Sequence, residues 1–334
     1  MRLFGTAYLD LQCHPDYLSL IEGNLRAYGI NNPLSRSNPG QFKPLEAVER
    51  FLTEDLKTED AVLLPNGFSS GQCLHEIAQQ KVAEGQGLLV SKEGHLCYRH
   101  PRKEHTREKP AGQEGENGYG VLLDAVDPFT GHCDWLHSTD TKERLAKAAW
   151  VAIDLSHSYG VWESEVFLKV WPVRASRSLY FGSLGKASAF PAGFVAGPSD
   201  FIQAVRALPV YTAAAPPANA LAASFLAATE LRAKQRAHLH EIIHRVRHEL
   251  NLPPQPLPFP TLFCGPQSAE VYEHFLDQEM EVAYLSYPTA KDPRLLRIVL
   301  HAGLDNSQLT AIIKAYKSLA LPTLPFRPAE WTTF

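Results

Sequence analysis

A lysine set among small residues is the first feature with chemical potential. Residues 180–197 read YFGSLGKASAFPAGFVAG, so Lys186 follows a strand-like run and sits in a Gly/Ser/Ala-rich turn. Small neighbours let another group approach both the backbone and the amine. An amine at a strand end facing a cleft loses hydration, which lowers its pKa and makes it nucleophilic, as Schiff-base chemistry requires. A plain solvated Gly-Lys turn is the competing reading. Upstream, residues 150–160 read WVAIDLSHSYG: Asp154 ends an apolar run and His157 follows in Asp-x-x-His spacing. A carboxylate at a buried strand end needs a partner. A pyridinium nitrogen supplies one, and the pair keeps that ring protonated as an electron sink, while a nearby imidazole can hydrogen-bond a ring hydroxyl. The competing reading is an Asp that caps a turn. Further upstream, LLPNGFSSGQCLHEIAQQ (63–80) runs from a strand through a Gly/Ser loop into a helix. The N–H groups at such a helix start can hold a phosphate, although the segment is neither a Walker loop nor GxGxxG and also reads as a Ser-rich N-cap.

The elements that must carry these residues are visible as short apolar runs: AVLLP (61–65), GLLVS (87–91), GYGVLLDAV (118–126), WVAIDLS (150–156) and SLYFGSL (178–184). Runs of this length, bounded by Gly, Pro, Asn or Ser, suit a buried parallel sheet. Leu45, Val48, Phe51, Leu52 and Leu56 recur at helical spacing between them, and the alternation of strands and helices reads as an α/β domain with crossovers. HPRKEHTREKPAGQEGEN (100–117) has little to bury and reads as a solvated loop, with phosphate binding by its Arg and Lys as the sharper alternative.

The organisation expected is a large domain over 1–217, a long connecting helix over 218–250 and a small α+β domain over 251–334. The helix stops at the proline-rich NLPPQPLPFP (251–260). Strand-like TLFCG (261–265), VAYLSY (282–287) and LLRIVLHAG (295–303) follow, then a helix capped by Asp305 or Asn306.

Composition narrows the function. The chain has 334 residues, 45% hydrophobic, with Lys+Arg 32 against Asp+Glu 36 and a formal charge of −4. That balance argues against an electrostatic nucleic-acid binder. No run approaches the ~20 apolar residues of a membrane helix, and no secretory leader is visible. The five cysteines, Cys13, Cys73, Cys97, Cys133 and Cys264, are scattered without a CxxC pair. They read as free thiols in a reducing cytoplasm, with no metal site.

Taken in order, a phosphate cradle, Asp-x-x-His and Ser-x-x-Lys resemble the fold-type I pyridoxal-phosphate enzymes, and most closely the α-oxoamine synthase family, whose members condense an amino acid with an acyl-CoA. The likeness runs along nearly the whole chain. AYLDLQCHPDY (7–17) resembles the family's N-D-Y-L-G-L…H-P opening, and SRSNPGQFKPLEAVERFL (35–52) its Gly-rich segment. LLPNGFSSGQ resembles F-x-S-G-F/Y-x-A-N, VAIDLSHSYGV resembles V-D-D-A-H-S-x-G-V, and GSLGKA resembles G-T-L-G-K-A. VYTAAAPPANALAA (210–223) resembles F-S-T-x-L-P-P-x-x-A-A-A, and residues 285–309 resemble the C-terminal Y-P-T-V-P…R-L-R segment.

The resemblance implies an aspartate-aminotransferase-like fold with a mostly parallel central sheet, a homodimer, and pyridoxal 5'-phosphate as cofactor. It makes Lys186 the Schiff-base lysine, Asp154 the partner of the pyridine nitrogen and His157 that of the ring hydroxyl. It makes His95, in LLVSKEGHLCYR, the histidine stacked on the ring. Gly67, Phe68, Ser69 and Ser183 fall on the phosphate side, and Thr212 on the hydroxyl that reaches the neighbouring subunit's phosphate. Arg297, with Arg294 as the nearby alternative, falls on the arginine that binds the amino-acid carboxylate, where a guanidinium suits bidentate contact. The chain departs from the pattern on the substrate side: Thr6 stands for the opening Asn, Asp10 for its Gly, and Pro128 for the Ser of E-S-V-F-S-M-D-G. An aminotransferase or aldolase on the same fold, and a catalytically silent partner subunit, stay open as rival readings.

Overall fold

The computed structural model describes residues 1–32, 34–36, 38, 42–91, 97–98, 117–286 and 293–319. In chain order the elements are β1 (Arg2–Leu3), α1 (Pro15–Tyr28), α2 (Lys43–Asp55), β2 (Asp60–Leu64), α3 (Gly67–Ala83), β3 (Gly87–Val90) and β4 (Tyr119–Asp124). Next come α4 (Asp134–His137), α5 (Thr139–Lys147), β5 (Trp150–Asp154), α6 (Ser164–Val170), β6 (Ser178–Ser183), β7 (Gly193–Gly197), α7 (Ser199–Ala207) and α8 (Pro209–Ala213). The chain continues through α9 (Asn219–Ala227), α10 (Thr229–Glu249), β8 (Thr261–Pro266), α11 (Ala269–Leu276), β9 (Glu281–Ser286), β10 (Arg294–Val299) and α12 (Asn306–Ser318).

Six strands form the central sheet in the order β2-β7-β6-β5-β4-β3. The pairs from β3 to β6 are parallel, and β7 runs antiparallel to both β6 and β2. Strand residues alternate between two covered faces, which is why the runs read as continuously apolar. Val62, Leu64, Leu122, Ala152, Leu179 and Val195 pack with Leu74 and Ile77 of α3 and Ile202 and Val205 of α7. Ala61, Leu63, Val121, Val151, Ile153 and Phe194 face the other way, into the larger core with Leu45, Val48 and Leu52 of α2 and Phe167 of α6. By this alternation Asp154 and Asp124 point to the α3 side, at the carboxyl ends of adjacent strands.

The second sheet has the order β1-β9-β10-β8. Its edge strand β1 comes from the other end of the chain and pairs parallel with β9, Arg2 with Glu281 and Leu3 with Val282. Asp305 caps α12 in a capping box with Gln308.

The helix expected over 218–250 is two helices that break at Ala228. Nothing in LAATEL opposes helix, and the break is tertiary in origin. Helix α9 is buried against α1 and α2, with Ala222 and Phe225 in the core and Asn24 Nδ2 donating to Ser224 Oγ (3.0 Å). The carbonyls freed at its end are satisfied by side chains: Arg232 donates to the Phe225 carbonyl and Thr229 Oγ1 to that of Leu226 (2.7 Å). No helix among the described residues is long and apolar enough to cross a membrane.

Candidate active site

The carboxyl end of β5 turns sharply through residues 155–160, and the loop after β6 lies beside it. Asp154, 6% exposed, accepts the Ser156 N–H at Oδ1 (2.7 Å). Ser156 Oγ accepts the Ser183 N–H (2.9 Å), and Ser183 Oγ accepts the Gly185 N–H (3.1 Å). A series of hydrogen bonds therefore runs from the aspartate into the loop that carries Lys186. The strands are locked close enough that a Cβ on Gly182 would stand 2.7 Å from the Ser156 nitrogen, so this position admits glycine alone.

Lys186 is partly buried, and burial pushes its ammonium below the usual lysine range against the opposing pull of Asp154, Asp124 and Cys97. The expected lysine and aspartate are thus brought within electrostatic reach of one another. Asp124, in register with Asp154, is a second carboxyl in the same place. Burial first, and the charge of Asp154 second, hold Asp124 well above the usual carboxylate range, because two buried like charges side by side are costly. Neighbouring residues serve the two carboxyls: Tyr98 Oη donates to Asp124 Oδ1 (2.7 Å), and Cys97 Sγ lies 4.0 Å from Asp154 Oδ2.

The start of α3 closes a third side. Asn66 caps the helix, accepting from Ser69 N (2.9 Å) and Ser69 Oγ (3.1 Å). Both donors of Ser69 are therefore engaged in the cap, and the Gly67 and Phe68 N–H groups are the ones at this start with no intrahelical acceptor. A Cβ on Gly67 would stand 2.5 Å from Ser183 Cβ, so the helix start and the lysine loop meet with no room to spare. An anion held here would take N–H donors from α3 and the Ser183 hydroxyl.

His157 follows in the β5 turn. Its Nδ1 lies 2.8 Å from Tyr8 Oη, and Tyr8 is fully buried with its ring edge-on to Phe259. Gln12 Nε2 donates to the Lys186 carbonyl (3.1 Å), so the N-terminal segment touches the site twice.

Arg297 reaches the site from β10. Its guanidinium is near enough to lower the pKa of Lys186, donates through Nη1 to the Pro128 carbonyl (2.7 Å), and lies 4.6 Å from the Phe129 ring centre. Thr261 Oγ1 bonds the same carbonyl (3.3 Å). A register shift in the β10–β8 ladder falls between Leu296 and Arg297, at the residue that reaches the site. Arg294 is exposed at the start of the strand, over the Tyr284 ring (5.2 Å), and Arg297 is the arginine on the site's wall. Thr6 is half-buried in the N-terminal segment. Thr212 lies on α8, where its carbonyl accepts from Ser35 Oγ (2.7 Å). His95 and most of the charged 100–117 segment lie outside the described residues.

Asp124, Tyr8, Tyr98, Cys97 and Gln12 are the site's additions to the residues expected from sequence. Asp124 had a readable signal, since VLLD and VAID are two apolar strands ending alike in Asp. The donor set suits pyridoxal phosphate: a buried carboxylate for a ring nitrogen, a desolvated amine for an aldehyde, and helix-start N–H groups with a serine hydroxyl for a phosphate.

Comparison with known proteins gives the family and the fold. Residues 140–315 match the family described as aminotransferase class I and II. The 8-amino-7-oxononanoate synthase of Chromobacterium violaceum is 25% identical over 353 residues, which span 97% of this chain and 88% of that protein. Serine palmitoyltransferase of Sphingomonas wittichii superposes with a TM-score of 0.73 at 18% identity, covering 96% of this chain and 88% of that one. The 8-amino-7-oxononanoate synthase of Francisella tularensis superposes with a TM-score of 0.70 at 13% identity, covering 96% and 98%. The fold is the fold-type I arrangement.

Proposed function

Because the chain belongs to the aminotransferase class I and II family, we propose that it is a pyridoxal-phosphate-dependent C-acyltransferase of the α-oxoamine synthase type. It joins a small amino acid (alanine, glycine or serine) to an acyl-CoA or other acyl thioester. The specific reading is 8-amino-7-oxononanoate synthase, acting on alanine and a pimeloyl thioester in biotin synthesis, in line with relatives of that name. The observation that carries the reading is Lys186, partly buried beside Asp154 and Asp124 at the ends of three adjacent parallel strands.

When bound, pyridoxal phosphate supplies an electron sink for the charge that develops at the amino acid's Cα. Lys186 Nζ is the amine that would hold its aldehyde, and the same Nζ would serve as the base that removes the Cα proton of the amino acid and the acid that returns one. Asp154, fixed by the Ser156 N–H, would hold a proton on the ring nitrogen. His157 would hydrogen-bond the ring hydroxyl, and Gly67, Phe68 and Ser183 would take the phosphate. Arg297 would bind the substrate carboxylate, with its guanidinium fixed on the site's wall by the Nη1 hydrogen bond to the Pro128 carbonyl.

The reading includes a homodimer in which Thr212 reaches the neighbour's cofactor phosphate. Tyr28, Ile30 and Leu34 support it, since these large apolar side chains are exposed in the segment of chain that leads to Ser35, Ile30 by 81%. Release of free coenzyme A on mixing the cofactor-loaded chain with pimeloyl-CoA and alanine tests the acyl transfer. Transfer of the amino group to a 2-oxo acid without thiol release would make it an aminotransferase instead.

A further inference from the structure

The Tyr8–His157 contact joins two parts of the chain that sequence keeps far apart. Its hydroxyl-to-Nδ1 distance of 2.8 Å allows two arrangements, phenol to nitrogen or nitrogen to phenol. In the second, the phenol proton needs another acceptor. Tyr8 is 0% exposed, and among the described residues His157 is its hydroxyl's hydrogen-bond partner. Its ring stands edge-on to Phe259, an apolar neighbour, and no second hydrogen bond of the hydroxyl is seen among the described residues. An O–H buried without an acceptor is costly, so the phenol donates and Nδ1 accepts. Burial also holds the phenol well above the usual tyrosine range, so the proton stays on oxygen. A neutral imidazole that accepts at Nδ1 carries its proton on Nε2.

We propose that Tyr8 is a positioning residue that fixes His157 as its Nε2–H tautomer, and so makes it a hydrogen-bond donor to the cofactor. The donor role rests on the cofactor reading above, whereas the tautomer does not. Tyr8 is itself held from the small sheet's side, since its carbonyl accepts the Ala302 N–H (2.9 Å) just past β10. Docking of the N-terminal segment against that sheet thus sets the protonation pattern of a residue on the central sheet. Gln12, four positions along the same segment, holds the Lys186 carbonyl.

The test is long-range proton–nitrogen NMR on the full chain labelled with nitrogen-15 histidine, with and without added pyridoxal phosphate. His157 is assigned by its loss in His157→Gln. The expected result is an acceptor-type Nδ1 and a protonated Nε2 in the wild type at neutral pH, and a mixture of tautomers in Tyr8→Phe, which keeps the ring against Phe259. With cofactor and substrates, Tyr8→Phe should lower kcat about three- to tenfold and leave the amino-acid KM within about twofold. An Nδ1–H tautomer or an imidazolium in the wild type overturns the proposal, as does a tautomer unchanged in Tyr8→Phe. The wild-type spectrum decides the matter even if the variant folds poorly, which thermal melting would reveal. If no cofactor attaches at Lys186, the acyl-transfer reading falls and the tautomer result still stands for Tyr8.

Discussion

On one side of the site, Asp154, Ser156, Ser183 and Gly185 belong to two adjacent parallel strands and their turns, and they hydrogen-bond in series. On the other side, Arg297 of the small sheet leans on the Pro128 carbonyl and the Phe129 ring, in a loop of the other sheet's domain. The first wall is local: its geometry follows from strand register and from two close backbone approaches. The second is an assembly of segments that meet only when the two sheets are docked. A substitution on the first wall should therefore damage cofactor attachment, and one on the second should damage substrate binding and leave the cofactor in place.

The most severe break expected is Lys186→Ala. Borohydride reduction followed by peptide mapping should find the cofactor on Lys186 in the wild type and no trapped adduct in the variant. An adduct on another lysine would end the assignment. Gly67→Ala comes next, because the new methyl would meet Ser183 Cβ at 2.5 Å. Overpacking of this kind costs about 1–3 kcal/mol, so cofactor affinity measured by fluorescence titration should fall by roughly five- to 150-fold. An unchanged affinity would mean that the helix start and the lysine loop are not locked together.

Arg297→Ala probes the other wall. Loss of a charge-assisted hydrogen bond costs roughly 1.5–3 kcal/mol, so affinity for alanine, glycine and serine should fall at least about tenfold. Trapping of the cofactor at Lys186 should be unaffected. Affinity unchanged from wild type for all three amino acids would move the role away from Arg297, with Arg294 the next to test.

The smallest effect expected concerns the second carboxyl of the first wall. Burial and Asp154 keep Asp124 above the usual carboxylate range, so the folded chain retains a proton that the unfolded chain releases as pH rises through about 4. Folding stability contributed by this group therefore falls as pH climbs from there to the folded-state pKa. Asp124→Asn cannot ionise and can still accept from Tyr98. In the cofactor-free chain it should raise Tm relative to wild type more at pH 8 than at pH 4. An equal shift at both pH values would show that Asp124 ionises freely.

Sequence made the first wall legible and the second only by family likeness. Strands β2 to β6 lie within a residue or two of the apolar runs that announced them, because burial on both faces leaves an uninterrupted signal. Strand β7, GFVAG, was hidden: Gly and Ala dominate it, and it sits in a segment that reads as a loop around Lys186. The break at Ala228 was equally invisible, since it is made by Arg232 and by packing against α1 and α2. Asp154, His157 and Lys186 stood out because strand-end chemistry leaves a local pattern. Asp124 gains its character only from its in-register neighbour, and Tyr8 only from a contact across the chain.

The pairing of β1 with β9 has a bearing on how the chain is made. Arg2 and Leu3 leave the ribosome long before their partners Glu281 and Val282, which lie far along the chain. Until then the segment from Leu3 to Leu11, whose Leu3, Tyr8, Leu9 and Leu11 are all buried in the finished molecule, has no sheet to join. The central sheet can form during that interval, because its strands lie between Asp60 and Gly197. Closing so long a loop is slow, and an apolar segment left waiting is open to chaperones and to other chains. The last step of folding would then be the one that brings Tyr8 to His157, so a chain caught before it would have a central sheet and an unfinished active site.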